Sequence, residues 1–78
     1  MPTVLRSGPY RVFLYSDEGY EPPHVHVVRD DRIAKFWLDP VKLARRGGFP
    51  FRDLARIRRL VVEHREELLE SWYEWFGA

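Results

Sequence analysis

The chain has 78 residues, 45% of them hydrophobic and 32% charged, with a net charge of only +1. That balance excludes a disordered tail, and the length allows one domain, residues 1–78, whose single modest core buries roughly 60–65% of the unfolded surface. The absence of cysteine excludes disulfides, a thiolate zinc site and a cysteine nucleophile, and leaves stability to packing or oligomerisation.

Met1-Pro2-Thr3-Val4-Leu5-Arg6 carries no signal-peptide apolar region, and no run approaches the roughly 18 apolar residues that span a bilayer. A cytoplasmic location and no membrane partner are the expectation. Thr3 to Arg6 reads as a short strand, and Ser7-Gly8-Pro9 turns it into Tyr10-Arg11-Val12-Phe13-Leu14-Tyr15, rich in aromatic and β-branched residues. A polar loop follows, Ser16 to Pro23. His24-Val25-His26-Val27-Val28 then alternates with period two and predicts a strand.

Arg29-Asp30-Asp31-Arg32 predicts a turn into the strand Ile33 to Leu38, which Asp39-Pro40 ends because the residue before proline favours extended geometry. Val41-Lys42-Leu43-Ala44 suits a brief fifth strand or a helical turn, and Arg45-Arg46-Gly47-Gly48 a loop. From Phe51 to Phe76 no proline or glycine occurs, and Leu54, Ile57, Val61, His64, Leu68, Trp72 and Trp75 recur at spacings of three and four. This predicts one long C-terminal helix with a Pro50 start and Asp53 in its first turn. Such a rod is about 39 Å long, whereas the strands span about 17–20 Å, so it must break or overhang the sheet. The predicted fold is α+β: a small, curled antiparallel sheet of four or five strands within residues 3–44, packed on a helix over about 51–76.

Residues two apart in a strand share a face. Val12, Leu14, Val25, Val27, Ala34, Phe36 and Leu38 form a uniformly apolar set, which should meet the helix. The complementary set is Arg11, Phe13, Tyr15, His24, His26, Lys35 and Trp37. Basic groups interleaved with aromatics fit a surface that stacks bases and neutralises phosphates, or one covered by another subunit. A single helix cannot shield both faces, so this one is expected to stand open, to lie under a loop or to be buried by a partner.

His24 and His26 point the same way, about 6.5–7 Å apart along the strand. Two imidazoles so placed suit a shared transition metal, or an acid and base flanking one phosphodiester, with Tyr15, Lys35 or Arg11 stabilising phosphate charge. The carboxylates near them are Glu18 and Glu21 in the preceding loop and Asp30 and Asp31 at the far turn. A three-ligand set is not evident. No metal or cofactor is therefore expected, with His24 and His26 the only metal candidates worth naming. The favoured reading for these two is hydrogen bonding that fixes the Pro22-Pro23 loop on the sheet, or contact with a partner, and His64 reads as a packing histidine.

Charge is unevenly spread. Seven basic residues between Lys42 and Arg59 face Asp53 alone, while five glutamates between Glu63 and Glu74 face Arg65. Glu63/Glu67, Glu66/Glu70, Glu70/Glu74 and Arg52/Arg56 are like-charge i,i+4 pairs, each costing an isolated helix about 0.2–0.5 kcal/mol, and the order of the charges opposes the helix dipole. Two such helices packed antiparallel about a twofold axis would set each basic half against an acidic one. His64, Glu67, Leu68, Trp72, Tyr73, Trp75 and Phe76 are the expected interface of a homodimer or of a complex with a small protein.

Glu21-Pro22-Pro23-His24-Val25-His26-Val27, Ala34-Lys35-Phe36-Trp37-Leu38-Asp39-Pro40-Val41 and His64-Arg65-Glu66-Glu67-Leu68-Leu69-Glu70-Ser71-Trp72 resemble the bacterial family catalogued as domain of unknown function 4160. By position the motif residues are Pro22, Pro23, His24, His26, His64, Glu67, Leu68 and Trp72. Pro50 departs from the serine helix cap of some members. The resemblance implies a small cytoplasmic protein encoded beside another small domain in a toxin–antitoxin-like pair, without a settled activity. Three functions follow in order: an interaction module binding a cognate small protein or itself, an RNA-binding or ribonuclease-like protein using the His24/His26 face, and a metal-binding domain. A catalytic role ranks below binding.

Overall fold

In the computed structural model, residues 3–15 and 19–77 are described. Met1, Pro2, Ser16, Asp17, Glu18 and Ala78 lie outside them, and with them part of the predicted loop and the Glu18 candidate. Five strands follow one another as β1 (Thr3–Ser7), β2 (Tyr10–Phe13), β3 (His24–Arg29), β4 (Arg32–Leu38) and β5 (Val41–Arg45). They form one sheet in the order β1-β2-β3-β4-β5, every neighbouring pair antiparallel. The Val41 segment is thus a strand, paired to β4 through Leu38↔Val41 and Phe36↔Leu43.

Turn chemistry holds this meander in register. Asp30 sits at φ 54°, in the left-handed region that a short polar side chain tolerates, and closes the β3–β4 hairpin. Gly47 follows β5 at φ 65°, and a Cβ there would run into the Ile33 carbonyl. Only glycine lets the chain leave β5 that close to β4.

The apolar face is as the alternation predicts. Val12, Val25, Val27, Ala34 and Leu38 are fully buried, and Leu14 and Phe36 nearly so. They pack with Phe49, Leu54, Ile57, Leu60, Val61, Leu68 and Trp72 in one core that Tyr10 joins. Tyr10 shares their face because it stands two residues before Val12.

The predicted single helix is two: α1 (Phe51–Glu63) and α2 (Arg65–Phe76). The break falls at His64, whose φ −108° and ψ 17° lie off the helical basin. Leu60's carbonyl accepts from the His64 backbone N–H at 3.1 Å and from its imidazole Nδ1–H at 3.0 Å. The next residue is then held elsewhere. Arg65 donates to the Leu38 carbonyl and to the Asp39 carboxylate, both at 2.8 Å, tying the start of α2 to the end of β4. The longest dimension of the molecule is 34 Å, shorter than the roughly 39 Å of an unbroken 26-residue helix. Among the described residues no helix is long and apolar enough to cross a membrane.

Arg65 makes two charge-assisted bonds from a partly exposed position. Arg65→Ala should therefore lower stability by about 1–2 kcal/mol in urea unfolding, whereas Asp39→Ala, which removes only the exposed half of the contact, should cost less than about 1 kcal/mol.

Candidate functional site

The second face of the sheet carries His24 and Trp37 opposite each other, His26 opposite Lys35, and Phe13 opposite His26. The structure brings six of the seven predicted residues into one contact network around the two histidines, with Arg11 at its margin over the Phe13 ring.

That face does not stand open. His24 is 1% exposed, His26 4% and Lys35 7%, and Phe13 is equally buried, while Arg11, Tyr15 and Trp37 are partly covered. The chain covers it with its own loop and with α2. Pro22 and Pro23 bring the loop back across the sheet, and its carbonyls are used: Pro22 accepts from His24 Nδ1–H at 2.9 Å, and Pro23 accepts from the Leu38 N–H at 3.0 Å. A carbonyl can only accept, so the His24 proton on this side sits on Nδ1. Because the helix breaks at His64, α2 also delivers Trp72 to this histidine, with ring centroids 4.9 Å apart. Phe76 packs on Trp72 with the rings tilted and their centroids 4.2 Å apart, and lies so close under Gly19 that a Cβ there would strike its ring.

The result is a chain of rings. Phe13, Tyr15, His26, His24, Trp37, Trp72 and Phe76 each lie within 5.6 Å of a neighbour in the series. Such contacts contribute about 0.5–1.5 kcal/mol each beyond area burial. Lys35 is the charge enclosed with them. Its Nζ meets the Glu21 carboxylate at 2.6 Å and sits 4.6 Å from the Trp37 ring centroid, and Glu21 also approaches His24 Nδ1 at 3.7 Å.

Chemically this arrangement restrains a loop. Both imidazoles are almost wholly covered in this arrangement, not displayed as an acid and base on an open strand. Among the described residues no three His, Asp or Glu side chains gather in a group able to hold a metal ion. Asp30, at the far turn, lies 4.0 Å from Arg29.

The expected interface set divides. Leu68 and Trp72 are 1% and 4% exposed and belong to the core of the single chain, so neither can anchor a partner. His64 bonds to Leu60, and Phe76 is partly covered by Trp72. Glu67, Tyr73 and Trp75 face outward. A cleft of about 250 Å³ lies between Trp75, Ser71 and Glu74 of α2 and Val4 and Leu14. Sequence reasoning missed this cleft because β1 and the α2 flank meet only in three dimensions. The pairing of Glu21 with Lys35 was equally hidden, since 14 residues separate them.

Lys35 and Glu21 supply a test of the loop's anchoring. Glu21→Gln leaves the buried ammonium without its carboxylate and should cost about 1–3 kcal/mol, less than for a fully enclosed pair because Glu21 is 26% exposed. Adding Lys35→Met should restore most of that loss. Strict additivity of the two changes in chemical denaturation would show that the pair is not coupled.

No curated protein and no solved structure matches the chain. The sequence profile described as Domain of unknown function (DUF4160) matches residues 10–73, which reaches from β2 nearly to the end of α2. The matched segment contains the Pro22-Pro23 loop, both sheet histidines, the His64 break and Trp72; of the groups that close the second face, Phe76 lies beyond it. The chain belongs to the DUF4160 family.

Proposed function

We propose that this chain is a protein-binding module, the interaction component of a two-gene, toxin–antitoxin-like system, and that it works through the outward side of α2 and the adjoining β1 rather than through its histidines. Trp75 carries the reading. It is 52% exposed on a helix whose other tryptophan is buried, and it forms one wall of the apolar cleft with Val4 and Leu14. Tyr73, on the other flank of the same helix, is 45% exposed. Tryptophan and tyrosine in partly enclosed positions are the side chains that most often dominate binding energy. The two-gene setting is the one that the family resemblance implies.

Charge narrows the partner. Glu66, Glu67, Glu70 and Glu74 are exposed on α2, and none is in an ion pair among the described residues. A partner must therefore bring basic groups next to an apolar ridge. A second copy of this chain meets both needs, because exposed Arg58 adjoins exposed Val62 on α1. Self-association through α1 against α2 is accordingly the mode of binding we favour when no cognate protein is present. RNA cleavage by His24 and His26 has less support, since those rings are covered by the Pro22-Pro23 loop and Trp72.

Wild-type protein at high micromolar concentration should sediment as a dimer, or bind the product of a neighbouring gene in a defined ratio. Trp75→Ala should weaken either association at least about tenfold while moving the unfolding free energy by less than about 1 kcal/mol. Arg58→Glu and Glu70→Arg should each disrupt the homodimer, and mixing the two proteins should restore it. A wild-type chain that stays strictly monomeric and ignores the neighbouring product would overturn the proposal.

A further inference from the structure

Beside the β1–β2 turn lies a second cleft of about 230 Å³, lined by Ser7, Gly8, Tyr10, Arg56, Arg59 and Glu63 among others. Three observations set it apart. Tyr10 is 8% exposed, and its hydroxyl is buried with no hydrogen-bond partner among the described residues. Most buried hydroxyls are paired, so this one is a donor in want of an acceptor. Arg56 and Arg59 are exposed and stand in no ion pair among the described residues; Arg29, 5.9 Å from the Tyr10 ring centroid, is outside the lining and faces Asp30 at 4.0 Å. Gly8 lies on the lining, and nothing approaches within 4 Å of where its Cβ would be.

We propose that this cleft binds a phosphoryl group, gripped by Arg56 and Arg59 with the Tyr10 hydroxyl as a neutral donor beneath them. The forked, always-charged guanidinium matches a tetrahedral oxyanion. The Tyr10 hydroxyl is covered in the unliganded chain, so a phosphoryl oxygen reaches it only when side chains of the cleft yield. Size limits the ligand. Whole cofactors and drug-sized ligands occupy about 300–1,000 Å³, so this cleft takes a free phosphate or the terminal phosphate of a larger ester. Glu63 on the same wall opposes an anion, which makes it a control: the site holds two arginines against one carboxylate. The site shares no lining residue with the Trp75 cleft and stands or falls independently of the α2 surface.

The full chain, titrated with inorganic phosphate and in parallel with phenyl phosphate while amide resonances are followed, should show saturable shifts around Gly8 and Tyr10 in the millimolar range. Arg56→Gln and Arg59→Gln should each weaken binding about threefold to tenfold or more, and Tyr10→Phe by a similar factor. Glu63→Gln should tighten it. Tyr10→Phe should also leave the melting temperature of the unliganded chain unchanged or raised, because it removes an unsatisfied donor. Tighter binding of the ester assigns the site to a larger ligand, and equal binding to free phosphate; both support it. The absence of saturation, indifference to the arginine changes, or a destabilised Tyr10→Phe chain would each overturn the proposal.

Discussion

Leu60's carbonyl oxygen accepts two hydrogen bonds from one residue, the backbone N–H and the imidazole of His64, and on that junction the shape of the molecule depends. With His64 drawn back onto the last turn of α1, its backbone leaves the helical basin, and the helix resumes at Arg65 in a new direction. Arg65 fixes that direction by bonding to the Leu38 carbonyl at the end of β4. Bent, α2 contributes Leu68 and Trp72 to the core and brings the Trp72 ring against His24. A layer of one helix on one face has become a wrap.

Closing the second face has an electrostatic cost, since Lys35 is taken out of water. A buried ion pair is weak evidence for stability in itself, because desolvation offsets most of the attraction. Its stronger effect is on specificity. Lys35 stands opposite His26 and reaches Glu21 across 14 residues of chain, so the loop can dock only when β3 and β4 are in this register. Slipping the pairing by one residue would exchange the two faces, placing valines under the polar loop and histidines in the apolar core. The register is thus set twice, by the apolar alternation and by the ionic contact.

Much of this was legible from the residues. Period-two alternation sorted both faces of the sheet, and spacing of three and four found Leu54, Ile57, Val61, Leu68 and Trp72 of the buried seam, whereas Trp75, on the same spacing, is 52% exposed. The helix break was not legible as a position, because no glycine or proline marks it. His64 fits the seam by spacing and breaks the helix through a side-chain bond that no periodicity encodes. The same omission left the histidine face open, under a loop or under a partner as equal expectations; the loop bonded to His24 is the one observed, and its cover by α2 was not foreseen. One straight helix can shield one side, whereas a bent helix and a proline-stiffened loop shield the other. Conversely, Tyr10 was readable by its parity with Val12 and Leu14. Its meeting with Arg56 and Arg59 depends on how α1 crosses the sheet and was not.

Trp72 and Trp75 lie three residues apart on one helix, with exposures of 4% and 52%. Local propensity cannot distinguish them. Trp72 covers a histidine, and its truncation would open a cavity, a loss of about 3–5 kcal/mol that a domain of this size can hardly absorb. Trp75 stabilises little in the isolated chain, yet it keeps a large apolar ring in water beside an apolar cleft. The charges follow the same division. The exposed glutamates of α2 and the exposed arginines of α1 receive no compensation among the described residues, and each run carries like charges at i,i+4. Residues that make the fold possible are paired, buried or bonded within it; those that oppose local energetics are on the outside, where a binding partner would supply the compensation they lack.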